Sequence, residues 1–268
     1  WISRGAFTGC SQLVLVELCE GIEKIQRRAF GHCKSLACIK LPSSVKLIGV
    51  GAFEHCTSLL HIKIPSAVKV IDEEVFYCCD QLETVELCEG LEQVKDSVFK
   101  HCKSLKGIKI PSTVKEIVGA MFHGCELLEE VELCEGLEQI GLCAFYNCKS
   151  LKRFKVPSTV KIICGWAFCG CHQLMTVELS KRLEQIGEHA FNSCKALKCV
   201  KVPSTLKMIG RSAFSNCEQL VEVELCEGLQ KINESSFWGC KSLKSVKVPT
   251  SVKRIEEWAF SGCLQLIT

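Results

Sequence analysis

The sequence predicts an α/β repeat solenoid, in which short coils of the same design stack on one another. Three observations support this fold class: phenylalanine returns every 23 residues, a cysteine follows it by three residues, and a short strand pattern precedes it. The periodic phenylalanines are Phe7, Phe30, Phe53, Phe76, Phe99, Phe122, Phe145, Phe168, Phe191, Phe214, Phe237 and Phe260. A fixed period of this length is the sequence signature of a stacked array. Since no insertion breaks the period, we expect every coil to follow the same path.

The first element of each repeat is an extended segment. In one copy its apolar positions are Leu128, Val131 and Leu133, and the alternation Val-Glu-Leu at its end is typical of a strand with its apolar side chains inward. Equivalent strands stacked about 4.8 Å apart would form one parallel sheet on the order of 50 Å long.

A turn follows each strand and begins with proline or cysteine. Proline has no N–H group, so it ends the hydrogen-bonded ladder. An inward pair such as Leu137 and Ile140 comes next, followed by an AFxxC segment whose Ala, Phe and Cys would share one side of a helical turn. We therefore predict short helical turns on a convex face and a parallel sheet on the opposite, concave face.

The extent of the repeats predicts one solenoid over residues 1–268, with about twelve repeats. Hydrophobic residues make up 47% of the chain, which suits a continuous core. Both ends fall inside a repeat and neither resembles the polar caps that close most solenoids, so we expect a segment of a longer chain. The apolar runs are too short to predict a membrane span.

Charge and motifs argue against several functional classes. The 33 basic and 30 acidic residues give a net charge of +3, without the clustered basic face expected of a nucleic-acid binder. The glycines follow the repeat period and not a phosphate-binding pattern. No nucleophile, base and acid can be assigned together. We therefore expect a non-catalytic protein without a cofactor, a metal or a nucleic-acid partner.

A second pattern is an alternation of charge between repeats. Repeats of the type VELCEGLEQI alternate with repeats of the type IKVPSTVKII, except where Lys40 and Lys63 follow one another. Opposite charges on neighbouring strands attract by roughly 0.2–1 kcal/mol per pair. The alternation therefore helps to fix the register of the stack.

The chain has 22 cysteines, and twelve of them belong to the period, from Cys10 to Cys263. Cysteine is among the most frequently buried residue types. Side chains with the same orientation on neighbouring coils keep their Cβ atoms about 4.8 Å apart, beyond the ~3.5–4.5 Å of a disulfide. We expect a row of buried free thiols, with a chain of disulfides as the alternative.

Two groups of residues have the chemistry of zinc ligands. His32, His55, Cys78 and His101 take the position before the periodic cysteine in four successive repeats. A straight ladder spreads them over about 15 Å, which favours a solvated edge over a metal site. The second group is Cys164, Cys169, Cys171 and His172, and Cys171 is one of the periodic cysteines.

One strand position is not constrained by the period, and its residues are therefore free to serve a ligand. It is occupied by Leu15, Cys38, His61, Thr84, Gly107, Glu130, Arg153, Thr176, Cys199, Glu222 and Ser245. Neutral drift at exposed sites is the alternative explanation. We predict a partner-binding patch at Glu130, Arg153 and Thr176, flanked by Glu132, Lys155 and Glu178. Arg153 is its best candidate because a planar guanidinium with several donors is enriched at binding hot spots.

Three tryptophans, Trp166, Trp238 and Trp258, lie near the AFxxC segments. They could anchor a partner, but we expect them to shield the convex edge.

The repeat resembles the leucine-rich repeats of the BspA-like, or Treponema pallidum, type. The shared pattern LxxIxLPxxVxxIGxxAFxxC is met between Leu197 and Cys217, and related copies cover the whole chain. The resemblance implies a curved leucine-rich repeat stack in a bacterial or protist surface or secreted protein that functions in adhesion or protein binding without catalysis. This chain departs from the pattern at Cys19, Cys88, Cys134 and Cys226, where cysteine replaces proline. The resemblance therefore does not predict the geometry of those turns.

The expected function is a protein-binding or scaffold module that uses its concave face, as one part of a larger assembly. The alternative is a structural or adhesive surface protein in which the repeats form a stiff spacer. The resemblance implies the cell surface or secretion, whereas free thiols are compatible with an intracellular location, so the compartment stays open.

Overall fold

The computed structural model describes residues 1–267. The chain forms two compact units, Trp1–Cys134 and Glu135–Thr268, and each is described by itself. The single solenoid over residues 1–268 stays a prediction. In both units a coil contains a strand of three residues (two in β21), a turn, a strand of two residues and a run of tight turns.

The first unit contains eleven of the 22 strands within residues 1–267, alternately long and short. They are β1 (Leu15–Glu17), β2 (Lys24–Ile25), β3 (Cys38–Lys40), β4 (Leu47–Ile48), β5 (His61–Lys63), β6 (Val70–Ile71), β7 (Thr84–Glu86), β8 (Gln93–Val94), β9 (Gly107–Lys109), β10 (Glu116–Ile117) and β11 (Glu130–Glu132). The long strands form the parallel sheets β1-β3-β5-β7 and β9-β11, and the short strands form β2-β4-β6-β8. Each residue pairs with the residue 23 positions later, as Leu15 does with Cys38.

The second unit repeats this arrangement. Its strands are β12 (Gln139–Ile140), β13 (Arg153–Lys155), β14 (Ile162–Ile163), β15 (Thr176–Glu178), β16 (Gln185–Ile186), β17 (Cys199–Lys201), β18 (Met208–Ile209), β19 (Glu222–Glu224), β20 (Lys231–Ile232), β21 (Ser245–Val246) and β22 (Arg254–Ile255). The sheets run β13-β15-β17-β19-β21 and β12-β14-β16-β18-β20-β22. The second ladder of short strands was not predicted, because two residues are too few to show an alternating pattern.

The phenylalanines form a stacked row inside each unit. Neighbouring rings in the first unit have centroids 5.0 to 5.7 Å apart and planes within 7° of parallel. In the second unit the corresponding distances run from 5.1 to 5.4 Å. Phe154, which is outside the period, adds edge-on contacts to Phe145 and Phe168. Burying each such side chain contributes about 1.5–3 kcal/mol.

The predicted helical turns are wrong: residues 1–267 contain no helix. Two residues in each coil have left-handed backbone angles, as shown by Arg28 (φ 54°) and His32 (φ 59°), and these interrupt a right-handed helix. Hydrogen bonds alternate along the segment. The N–H of Gly31 donates to Arg28 within the coil, whereas the N–H of Phe30 donates to Ala52 of the next coil. The AFxxC segment is therefore a second surface on which neighbouring coils bond to each other.

The periodic cysteines bridge neighbouring coils without covalent bonds. The thiol of Cys56 donates to the carbonyl oxygen of Phe30, 3.1 Å away, and Cys171 makes the same contact with Phe145 at 3.2 Å. Burial raises the pKa of the Cys56 thiol well above its usual range. All 22 cysteines are free thiols, and the predicted burial of the row is confirmed for its interior members.

Candidate binding surface

The three-residue strands expose their first and third side chains and turn the middle one inward, where it is buried in most of them. We call the exposed first and third residues the strand face. The opposite side of each coil, with the AFxxC segments, is called the turn side. On the strand face the first residue varies freely, and the third is lysine or glutamate.

In the first unit the strand face changes character along the stack. It begins with exposed apolar side chains, among them Leu15, which is 56% exposed, and Val14 and Leu60 beside the strands. It continues with His61, whose Nδ1 atom lies 2.7 Å from the hydroxyl of Thr84. The exposed positions can vary between strands because packing constrains only the buried middle residue of each strand.

The third positions of the strand face form ion pairs between neighbouring strands. Lys63 lies 3.0 Å from Glu86, and Lys109 lies 3.4 Å from Glu132 in the first unit. All four side chains are mostly exposed, so each pair is worth about 0–1 kcal/mol. The predicted attraction between alternating charges is confirmed at these positions.

Not every third-position lysine is paired: Lys40 on β3 of the first unit has no ion pair among the described residues, and β13 of the second unit also departs from the pattern. Arg153 pairs in register with Thr176, and Lys155 with Glu178, so all four project from two adjacent strands. Among the described residues, neither the Arg153 nor the Lys155 side chain forms an ion pair, although Lys201 on β17 lies 2.6 Å from Glu224. Two unpaired cations therefore lie on one exposed strand.

The structure places all six predicted partner-binding residues on exposed strand positions. Glu130 and Glu132 project from β11 of the first unit. Arg153 and Lys155 share β13, and Thr176 and Glu178 share β15. The structure thus brings the last four together on one face of the second unit. Whether they bind a partner stays a prediction.

An open groove lies where β13 and β15 end. It is lined by Lys155, Ser158, Ser180, Lys181 and Arg182, together with Glu135, Val156, Glu178 and Leu179. Sequence reasoning missed this site. The signal was present, because the repeat reads ELSKRLEQI where its counterparts read ELCEGLEQI.

The predicted histidine stripe follows the turn side of the first unit. The rings of His32 and His55 stack 4.6 Å apart, and Tyr77 lies between His55 and His101 with edge-on contacts. Burial, together with nearby cationic groups, lowers the pKa of His55 and His101. Within residues 1–267, no group of three or more candidate ligands is arranged to hold a metal ion.

The members of the second cysteine cluster lie in different surroundings. Cys171 belongs to the buried row, whereas the Cys164 sulfur accepts a hydrogen bond from Gln139 Nε2 at 3.2 Å. Burial raises the pKa of Cys169 to about 11. These thiols are protonated at neutral pH and serve packing.

The three tryptophans lie on the turn side of the second unit. Trp166 stacks on His189 with ring centroids 4.0 Å apart. Trp238 is 44% exposed and Trp258 is 62% exposed. Trp166 is thus packed on its neighbour, whereas the other two leave much of their surface in solvent.

No segment of residues 1–267 forms a helix long and apolar enough to cross a membrane.

Stacked parallel strands with a buried apolar position in each coil define a repeat solenoid, a class that includes the leucine-rich repeat proteins. The family described as BspA type leucine rich repeat region matches residues 1–106, 92–200 and 138–267, and the chain belongs to this family. The resemblance inferred from the repeat pattern is thereby confirmed. Proteins of this kind are generally non-catalytic and function in protein binding or surface adhesion.

Three solved structures of similar proteins illustrate the relationship. A leucine-rich repeat protein from Bacteroides ovatus is 30% identical with a TM-score of 0.85, over 98% of this chain and 74% of that one. A leucine rich cell surface protein from Faecalibacterium prausnitzii is 28% identical with a TM-score of 0.61, over 94% and 79%. The pneumococcal vaccine antigen PcpA is 20% identical with a TM-score of 0.53, over 94% and 73%, and shares the fold. No curated protein sequence matched the chain.

Proposed function

We propose that this protein is a non-catalytic binding module that holds a protein partner on its strand face. The observation that carries the proposal is that β13, among the three-residue strands of residues 1–267, presents two exposed cations without an ion pair, Arg153 and Lys155. A cation that is exposed and unpaired can meet an acidic or polar partner without first breaking an internal ion pair. The strand face is the surface that we predict to be concave.

The shape of the patch supports the same proposal. Thr176 pairs in register with Arg153, so a small hydroxyl side chain lies beside the guanidinium and leaves it accessible. Glu178 and the ion-paired strands beyond it offer a polar rim. Interfaces of this design concentrate binding energy in a central anchor, and arginine is a frequent anchor.

Surface location is supported by a relative. The Faecalibacterium prausnitzii protein is described as a cell surface protein, and we extend that description to this chain as part of the proposal. A surface protein of this family would present its strand face to other proteins outside the cell.

A stiff spacer is the second candidate function. It is favoured by the ion pairs Lys63–Glu86 and Lys109–Glu132, which neutralise the strand face of the first unit. A spacer needs only repeated packing and an inert surface. The two functions differ in what happens when β13 is altered.

The experiment begins with cross-linking and affinity capture of partners by the full chain, followed by titration of the captured protein. Arg153→Ala should weaken binding tenfold or so, about 1.4 kcal/mol, and leave Tm nearly unchanged because the side chain is exposed. Arg27→Ala is the matched control, since Arg27 is an exposed arginine on the turn side. Trp166→Ala tests the opposite surface.

Loss of binding in Trp166→Ala, with no change in Arg153→Ala, would place the working surface on the turn side. Failure of the chain to capture any partner, while all variants keep the same Tm, would favour the spacer.

A further inference from the structure

Three turns of this protein bind a carboxylate in the same way. In the second unit the carboxylate of Glu135 accepts hydrogen bonds from the backbone N–H of Ser158 at 3.2 Å and from its hydroxyl at 2.9 Å. Glu227 accepts from the N–H and hydroxyl of Thr250, at 3.0 and 3.2 Å. In the first unit Glu20 holds Ser43 with the same two donors. Each glutamate lies 23 residues before the turn that it binds.

The bound glutamates show that these turns favour the charged form of a carboxylate. Hydrogen bonds from the backbone N–H of the recipient turn, followed by other donors of that turn, lower the pKa of Glu20, Glu135 and Glu227. N–H and hydroxyl donors that converge on one anion are stronger than the same donors on a neutral group. The turn that begins with proline is thus a small carboxylate receptor.

One such turn faces cations in place of a glutamate. The residues 23 positions before Ser204 and Thr205 are Lys181 and Arg182, where the counterparts of Ser158 and Thr159 are Glu135 and Gly136. Among the described residues, the N–H groups of Ser204 and Thr205 and the Ser204 hydroxyl have no acceptor. The side chains one coil before this turn are therefore positively charged, whereas a negatively charged glutamate precedes each of the three carboxylate-binding turns.

The backbone of the Ser180–Leu183 turn is adapted to this reversal. In the glutamate turns a glycine with a left-handed φ follows the glutamate, as Gly136 does at 103°, whereas Arg182 is not among the residues with positive φ. Instead the buried Ser180 hydroxyl donates to the carbonyl of Ser158 at 2.9 Å, and Leu183 N–H donates to Ser180. The turn is well bonded and presents Lys181 and Arg182 as exposed side chains.

The other turns that lack a bound glutamate do not share this charge. The residue 23 positions before Ser112 is Glu89, so this turn has an anionic side chain one coil away. The residue 23 positions before Ser66 is Ser43, which has no charge. Within the described residues, only the Ser204 turn combines unused donors with a Lys-Arg pair one coil away. The adjoining groove is lined by Lys155, Lys181 and Arg182 together with Glu135 and Glu178, so its cations outnumber its carboxylates by one.

We propose that the Ser204–Thr205 turn, with Lys181 and Arg182 beside it, binds a carboxylate of an acidic peptide segment from another protein. The partner's aspartate or glutamate takes the position that Glu135 and Glu227 occupy at the equivalent turns, and a second acidic residue meets Lys181 or Arg182. This site lies at the ends of the strands and goes beyond the strand face, because it does not use Arg153.

The test uses the full chain and a fluorescein-labelled peptide of six glutamates, with a peptide of six glutamines as the uncharged probe. Lys181→Glu should weaken binding of the acidic peptide at least tenfold, because it restores the internal carboxylate and removes a cation. Lys181→Ala should weaken it less, since the turn donors stay available. Lys34→Glu has the same net charge change at an exposed lysine of the first unit and should stay within twofold of wild type.

A fold control accompanies the titration: the Lys181→Glu chain should retain the Tm of the wild type or exceed it. The proposal is overturned if the wild type binds neither peptide up to millimolar concentration, if the glutamine peptide binds equally well, or if Lys34→Glu weakens binding as much as Lys181→Glu. Arg153→Ala is titrated in parallel, and a loss of acidic-peptide binding in that variant with no loss in Lys181→Glu would overturn the proposal and move acidic recognition to the strand face.

Discussion

The strand face and the turn side come from the same 23-residue repeat and are under opposite constraints. On the turn side the Phe and Cys positions are invariant, their side chains are buried in the interior coils, and hydrogen bonds run from each coil to the next. On the strand face only the middle residue is buried, and its neighbours change from Leu15 through His61 to Arg153. Positions that keep the period hold the stack together. Positions that break it are free to bind.

The largest expected effect comes from the phenylalanine row. Phe145→Ala should cost about 3–5 kcal/mol, because it opens a cavity between rings that cannot collapse. Phe154→Ile is the matched control: it replaces a strand aromatic with an aliphatic of the type found in other repeats, and should cost less than about 1.5 kcal/mol. Denaturant unfolding measures both.

Phe145→Ala should also separate unfolding into two transitions, since repeats of a solenoid contact mainly their neighbours. A single transition at the wild-type midpoint would contradict the role of the row.

The cysteine row should show a smaller effect of the same kind. Cys171→Ala removes a buried sulfur and its hydrogen bond to the carbonyl of Phe145, and should cost about 1–3 kcal/mol. Cys199→Ala, on the exposed strand face, should stay within about 0.5 kcal/mol of the wild type. Equal costs at the two positions would mean that burial does not distinguish the two surfaces.

The smallest effect is expected at the glutamate turns and depends on pH. The folded-state pKa values of Glu20, Glu135 and Glu227 are lowered from 4.5, so the unfolded chain takes up protons first as the pH falls. Their contribution to stability is therefore present above pH 4.5 and is lost as the pH falls below it, through the folded values. Urea midpoints at pH 6 and pH 3.5 measure the loss.

The triple variant Glu20→Gln, Glu135→Gln, Glu227→Gln should have a shallower pH dependence than the wild type over this range. If the urea midpoint of the triple variant depends on pH as steeply as that of the wild type, the hydrogen bonds from the turns do not stabilise the charged carboxylates.

The sequence was sufficient to predict the features that recur with the 23-residue period. The stack, its register, the buried middle strand residue and the inward Phe and Cys positions all follow from spacing. The conformation of the AFxxC segment did not follow from the spacing, because Arg28 has no preference for a left-handed backbone and histidine, although enriched there, adopts it only in a minority of cases. Neighbouring coils impose those angles through hydrogen bonds, and such constraints cannot be read from one repeat.

At the candidate site, too, some features could be predicted from the sequence and others only from the structure. The exposed strand positions, including Arg153 and Thr176, were predicted from their freedom from the period. That Lys155 lacks an ion pair, although Lys201 has one, depends on side-chain geometry and could not be predicted. The Ser180–Leu183 turn could have been found from its charge reversal. That the turn one coil later can bind a carboxylate is seen only in the structure, where the equivalent turns bind glutamates.

Cys199 offers the most direct test that binding takes place on the strand face. It is exposed and pairs in register with Thr176, so its thiol reports on the proposed patch, whereas Cys10 is an exposed thiol on the turn side of the first unit. Alkylation rates of both thiols, followed by mass spectrometry with and without the captured partner, compare the two surfaces in one sample. The account predicts that the partner slows Cys199 at least tenfold and leaves Cys10 unchanged. Protection of Cys10 with no change at Cys199 would contradict it.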